Sequence, residues 1–167
     1  MADVQHAMAP DPTNVIGFWH AGVTVRDLET SLRFYRDGLG LEVIHRGPTE
    51  GDFRWRIWAL QAEDAEVAFL RVPGSDAIIE LFEFGGVERH PASARPCDYG
   101  AGHFCLLVDD AEAAWQRLRE HGFGARSDGP VTADSGPHRG IKVLYAVDPD
   151  GYNVELYQRR ERGPRHD

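Results

Sequence analysis

Hydrophobic and polar residues follow the same pattern twice along this chain. An apolar stretch, residues 19–25, leads through an Asp into residues 28–36, whose apolar positions recur at helical spacing. The same order returns 83 residues later, with an apolar stretch at 102–108, then Asp110 and a helical pattern at 111–119. The Asp suits a helix N-cap, because its carboxylate accepts hydrogen bonds from free N–H groups of the first turn. Each half is therefore predicted to begin with a strand and a helix.

Three more strands are predicted after each helix. The apolar runs are 41–46, 66–72 and 77–84 in the first half, and 124–127, 141–147 and 152–158 in the second. Turn-forming residues separate the last two runs of each half, at Pro73-Gly74-Ser75-Asp76 and Asp148-Pro149-Asp150-Gly151. Residues 52–61 fit a strand, a loop or a short helix. Both halves are therefore predicted to be β-α-β-β-β modules of an α+β fold.

The expected domain covers residues 15–158, with modules at 15–86 and 102–158 and a proline-containing linker at 87–101. The polar ends, 1–14 and 159–167, are expected to be flexible.

Composition narrows the function classes. The 167 residues carry 18 Lys and Arg against 27 Asp and Glu, a net charge of −9, which argues against a nucleic-acid binder. No apolar run approaches the roughly 20 residues that span a bilayer, and the first 14 residues lack a secretory signal pattern. Two cysteines, Cys97 and Cys105, cannot form a disulfide framework. We therefore expect a cytoplasmic protein with no nucleic-acid or membrane partner.

Two histidines and two glutamates occupy matching positions in the two halves. His20 and His103 fall at the same place in the first strand of each half, and Glu80 and Glu155 lie among apolar residues of each last strand. A carboxylate in such a strand is costly unless it has a partner. If the modules pack symmetrically, the four side chains meet and suit Zn²⁺, Ni²⁺, Co²⁺, Mn²⁺ or Fe²⁺. One divalent metal ion bound by all four is therefore predicted.

Paired modules with a His in the first strand and a Glu in the last resemble the vicinal oxygen chelate superfamily. That superfamily includes glyoxalase I, methylmalonyl-CoA epimerase, extradiol dioxygenases, fosfomycin-resistance enzymes and bleomycin-binding proteins. The resemblance covers about residues 15–158, and its most specific strings are residues 18–25, 79–81, 102–105 and 148–156. It implies the glyoxalase/bleomycin resistance/dioxygenase fold, in which the modules form an open, barrel-like mixed sheet.

The resemblance also implies a reaction. The His, Glu, His, Glu order of glyoxalase I maps onto His20, Glu80, His103 and Glu155. A metal-dependent lyase or isomerase of the glyoxalase I or epimerase type would bind a small substrate through vicinal oxygens and stabilise an enediolate. Glu80 and Glu155 are the candidate catalytic bases. Glyoxalase I usually has an Asn shortly after its second ligand, and residues 81–85 contain none, which argues against a glutathione thioester.

Two other functions remain open. An Fe²⁺-dependent extradiol-type dioxygenase would use His20, His103 and Glu155 without needing Glu80. A drug-binding resistance protein of the bleomycin-binding type would need no metal, and the charge of −9 suits a cationic ligand. The presence of Glu80 favours the lyase and epimerase branch.

The strand pattern also predicts a substrate pocket and a dimer. Residues on the ligand-bearing faces are expected to line the pocket: Phe82, Phe84, Cys105, Leu107, Asn153 and Tyr157. Open sheet edges favour a homodimer. If the modules pair between chains, His20 and Glu80 come from one subunit, and His103 and Glu155 from the other.

Overall fold

The computed structural model describes residues 15–91 and 95–158. The ends that are predicted to be flexible, 1–14 and 159–167, lie outside the described residues, as do 92–94 of the expected linker. The described remainder of that linker forms no helix or strand.

The first half contains four strands and two short helices. In chain order they are β1 (His20–Thr24), α1 (Leu28–Leu32), β2 (Glu42–Pro48), α2 (Phe53–Trp58), β3 (Asp64–Arg71) and β4 (Ile78–Gly85). After α1 the chain continues as a wider π-helical segment, Arg33–Gly38, in which the Leu39 N–H donates to the Phe34 carbonyl at 2.9 Å. The ambiguous stretch 52–61 therefore contains a helix, α2.

The second half has the same β-α-β-β-β order, with one additional short strand where the first half has α2. It consists of β5 (His103–Val108), α3 (Ala111–Glu120), β6 (Gly124–Ala125), β7 (Val131–Thr132), β8 (Lys142–Val147) and β9 (Asn153–Gln158). Strand β7 was not predicted, because two residues are too few to show a period. The longest described helix has ten residues, and none of the described helices is long and apolar enough to cross a membrane.

An aspartate begins the main helix of each half, as predicted. The Asp27 carboxylate accepts a hydrogen bond from the Thr30 N–H at 2.6 Å. Asp110 accepts from the N–H groups of Glu112 and Ala113 at 2.9 and 3.1 Å. Both N-caps satisfy backbone donors that a helix leaves free.

The strands form two mixed sheets of equivalent topology. Their orders are β1-β4-β3-β2 and β5-β9-β8-β6, with β7 paired to β8. In each sheet the His-bearing strand lies at the edge, parallel to the Glu-bearing strand, and the remaining pairs are antiparallel. The two βαβββ modules and the α+β class are therefore confirmed.

One face of each sheet packs into a single core that both halves share. Phe34 stacks edge-on against Phe123 of the second half, with ring centroids 5.1 Å apart. Gly38 permits a close approach, since a Cβ there would lie 2.9 Å from the Leu118 side chain. The buried Tyr35 hydroxyl donates to Asp148 at 2.9 Å. This packing uses the helix-covered face of each sheet and leaves the opposite face open.

Candidate metal centre

The first His–Glu pair lies on the open face of the first sheet. The parallel register of β1 and β4 places Gly22 beside Glu80. The imidazole of His20, two residues before Gly22, extends past this glycine to the Glu80 carboxylate. His20 Nε2 lies 3.2 Å from Glu80 Oε2. The imidazole side chain is 43% exposed and the carboxylate 14%, so the imidazole is the more accessible partner of the pair.

The second pair reproduces this arrangement. His103 Nε2 lies 3.1 Å from Glu155 Oε2, and the side chains are 44% and 18% exposed. Cys105 of β5 takes the place that Gly22 has in β1. The sequence repeat thus produces two His–Glu pairs with nearly the same geometry.

The two pairs do not meet within one chain. Among residues 15–91 and 95–158 no group of three or more His, Cys, Asp or Glu side chains is placed to hold a metal ion. The reason is that the helix-covered faces pack together, which leaves the pairs on open faces of different sheets. The described residues of a single chain therefore do not form a four-ligand site. A four-ligand site shared between two chains stays a prediction.

The chemistry of each pair suits half of a metal site. An imidazole nitrogen and a carboxylate oxygen are both ligands for divalent transition metals and zinc. Burial raises the pKa of Glu80, and the neighbouring His20 partly opposes that rise. Two ligands alone leave a metal ion largely solvated, so the donor set fits a metal when a second pair completes it.

Two polar side chains surround the second pair. The Tyr145 hydroxyl lies 3.2 Å from His103 Nε2, because β8 places Tyr145 directly opposite Glu155. Cys105 is exposed at the surface, but partial desolvation of its thiol, with the Glu155 carboxylate adding to it, raises the pKa of that thiol to about 11, so the thiol stays protonated at neutral pH. The sequence reasoning missed Tyr145, since it depends on cross-strand register. The equivalent residue opposite Glu80 is Phe69.

The predicted pocket residues of the first half form an aromatic cluster. Phe82 and Phe84 follow Glu80 on the same face of β4, with ring centroids 5.9 Å apart. Trp58 of α2 contacts both rings edge-on, at 5.1 and 4.9 Å. Trp55 contacts Trp58 edge-on, with ring centroids 5.7 Å apart.

The predicted pocket residues of the second half lie on the other sheet. Leu107 is 61% exposed, and the Tyr157 hydroxyl lies 2.9 Å from His138 Nδ1. Asn153 is buried, and its side-chain oxygen accepts a hydrogen bond from Arg126 at 2.8 Å. A pocket that uses both sets of residues, like the metal site, requires two open faces to come together.

Comparison with known proteins gives one consistent family. Residues 17–156, which include all four predicted ligands, match the family model described as Glyoxalase/Bleomycin resistance protein/Dioxygenase superfamily. A lactoylglutathione lyase of Salmonella typhimurium is 31% identical over 148 residues, covering 86% of this chain and 93% of that protein. A 2-epi-5-epi-valiolone epimerase of Actinomyces sp is 30% identical over 141 residues, covering 82% and 76%.

Solved structures agree at the level of fold. A glyoxalase family protein from Bacillus cereus superposes with a TM-score of 0.74 at 21% identity, covering 91% of this chain and 98% of that one. A glyoxalase I mutant from Zea mays gives a TM-score of 0.64 at 24% identity, covering 85% of this chain and 44% of that one.

Proposed function

Because the chain belongs to the glyoxalase/bleomycin resistance protein/dioxygenase superfamily, we propose that it is a divalent-metal-dependent lyase or isomerase. It moves a proton at a carbon next to a carbonyl in a small substrate with vicinal oxygens. The observation that carries this proposal is the pair of equivalent His–Glu contacts, 3.2 and 3.1 Å long, on open sheet faces. The relatives that are named as a lyase and an epimerase support the same reaction class.

The proposed site forms between two copies of the chain. The His20–Glu80 pair of one subunit faces the His103–Glu155 pair of the other, so a homodimer holds two sites. Support comes from the exposure of both imidazoles and from the outer edges of β1 and β5, which pair with no other strand in the described part of the chain. Large apolar side chains beside the pairs are also exposed, with Phe18 at 77%, Trp19 at 73% and Leu107 at 61%. Contact between two copies would remove them from water.

The carboxylates of such a site act from opposite sides of the substrate. A bound metal ion would supply Lewis-acid polarisation of the two substrate oxygens. Glu80 and Glu155 belong to different sheets, so one carboxylate accepts a proton from one side of the substrate, and the other, which starts protonated, donates its own proton from the opposite side. Donation to the same carbon inverts that carbon, and donation to the neighbouring carbon isomerises the substrate.

The four-residue set fits the structure better than the three residues that a dioxygenase would use. Glu80 contacts His20 as closely as Glu155 contacts His103, and burial makes its charge costly. A site built from His20, His103 and Glu155 alone would leave that carboxylate with no metal to offset its burial.

Mixing two defective variants tests the proposal. His20→Ala and His103→Ala are each expected to lose the metal found in the wild-type protein by elemental analysis. When the two variants are unfolded, mixed and refolded together, half of the dimers contain both chains. Each mixed dimer has one site that carries both substitutions and one intact site, so about a quarter of the wild-type metal content returns.

The matched control is each variant refolded alone, which should stay metal-free. Absence of metal from the wild-type protein would contradict the metal-dependent function. Metal loss in both variants without recovery on mixing would contradict the two-chain site.

A further inference from the structure

We infer that the site takes substrates that carry an aromatic group, bound on the Glu80 side by Trp58, Phe82 and Phe84. The inference rests on the proposed function and names the substrate class of the same site. It follows from three features of the first half: the position of the rings, their exposure, and the contrast with the second half.

The rings lie immediately beside the first His–Glu pair. Phe82 is two residues after Glu80 in β4, so its side chain stands on the same face about 7 Å further along the strand. Thr24 is its neighbour in β1, on the side of His20. The ring planes of Trp58 and Phe82 make an angle of 77°, and those of Trp58 and Phe84 an angle of 81°. The three rings thus form two walls of an apolar corner next to the carboxylate.

The protein's own residues bury only part of the ring surface in this corner. Phe84 is buried, whereas Trp58 and Phe82 are only partly buried and keep some ring surface exposed. Helix α2, which carries Trp58, has no fully buried residue, and Ile57 is 70% exposed. An aromatic cluster that served only as core would bury both walls. Ring surface beside a polar pair is instead typical of a ligand site.

The second half shows that this apolar character is specific to the Glu80 side. Phe69 lies opposite Glu80, and Tyr145 lies opposite Glu155. Two residues after each glutamate in its own strand are Phe82 and Tyr157. At both positions the second half adds a hydroxyl, and each hydroxyl contacts a histidine, at 3.2 and 2.9 Å. One side of the assembled site is therefore phenyl-lined and the other is rich in hydroxyl groups. An aromatic substituent gains more on the phenyl-lined side, because the rings there carry no hydroxyl group that would lose water.

Two small chelators test the inference. Acetohydroxamate and benzohydroxamate present the same pair of vicinal oxygens and differ by a methyl and a phenyl group. Each is titrated by calorimetry into Zn²⁺-loaded and metal-free protein, for the wild type, Trp58→Ala, Phe82→Leu and Phe53→Ala. Phe53 is a matched control, because it is an exposed aromatic residue of α2 outside the cluster. Metal content and thermal midpoint show that each variant is folded.

The wild type is expected to prefer benzohydroxamate by about tenfold, the gain from burying a phenyl ring in place of a methyl group. Trp58→Ala and Phe82→Leu should remove most of this preference, and Phe53→Ala should keep it. An unchanged preference in the first two variants, or an equal loss in all three, overturns the inference while the proposed function stands. If neither compound shows metal-dependent binding, the proposed function itself fails.

Discussion

At the scale of single residues, the two halves place the same two side chains among different neighbours. Glu80 lies opposite Phe69, and Glu155 lies opposite Tyr145 with Cys105 beside it. The His–Glu distance is nevertheless almost equal in the two halves. The pair therefore depends on the backbone register of two parallel strands and not on these neighbours.

Replacement of either glutamate by glutamine separates metal binding from proton transfer. Glutamine keeps the size and one oxygen ligand but cannot accept a proton. Glu155→Gln and Glu80→Gln should each retain at least about half of the metal and lose turnover by about 100-fold or more. Turnover is measured as deuterium uptake from D₂O next to the carbonyl of dihydroxyacetone or 2-hydroxyacetophenone, which both carry vicinal oxygens.

The control for these variants is Glu88→Gln, since Glu88 is 86% exposed and lies between β4 and β5, outside both strands. It should change neither metal content nor turnover. Equal losses of metal and turnover in the glutamate variants would show that these carboxylates serve only as ligands.

At the scale of elements, the turn between β8 and β9 connects the two halves. Asp148 accepts hydrogen bonds from Tyr35 at 2.9 Å and from the Tyr152 N–H at 2.7 Å. Asp150 accepts from the Arg26 N–H at 2.7 Å. This turn leads directly into β9 and Glu155, so the buried contact from Tyr35 ties the second glutamate strand to the first module.

Tyr35→Phe is expected to destabilise the protein by about 1–3 kcal/mol, because it leaves a buried carboxylate oxygen without its donor. Unfolding by urea, followed by tryptophan fluorescence, measures the change. Tyr99→Phe removes a hydroxyl from a fully exposed side chain and should change the free energy of unfolding by less than about 0.5 kcal/mol. A Tyr35→Phe variant as stable as the wild type would contradict the role of this contact.

The destabilisation caused by Tyr35→Phe should depend on pH. Burial raises the pKa of Asp148 above the ordinary value of 3.8, and the hydrogen bonds from Tyr152, Tyr35 and Asp150 oppose that rise. Folded protein then binds the proton more tightly than the unfolded chain, so the stability contribution of Asp148 falls as pH rises above that value. Removal of the Tyr35 donor raises the pKa further. The decrease in the free energy of unfolding caused by Tyr35→Phe should therefore be larger at about pH 7 than at about pH 4.

At the scale of the whole molecule, sequence periodicity predicted the modules but not their packing. The βαβββ order and the contact of each His with its Glu follow from strand parity, caps and a repeat, which are local properties. The face of each sheet that packs into the shared core depends on contacts such as Phe34 with Phe123, which join the halves. For this reason the separation of the two pairs in one chain was not predictable from parity.

Other features escaped prediction for related reasons. The place of Tyr145 beside His103 depends on the β8–β9 register, which the sequence does not display. The contact of Trp58 with Phe82 depends on how a six-residue helix lies on a sheet, and short helices carry little periodic signal.

If the open faces meet between two chains, dimerisation and metal binding must be lost together. Wild-type protein should sediment at about twice the chain mass of 18.7 kDa and contain one metal per chain. Leu107 is exposed on the open face of β5, so Leu107→Lys would place an unpaired charge in the interface. Sedimentation and elemental analysis of this variant should show a metal-free monomer.

Gln116→Lys is the matched control, because it adds the same charge to an exposed position of α3, on the helix-covered side of the second sheet. This variant should remain a dimer with full metal content. A Leu107→Lys monomer that keeps its metal would place the complete site within one chain. A Leu107→Lys dimer that loses metal would instead assign Leu107 to the site and not to the contact between chains.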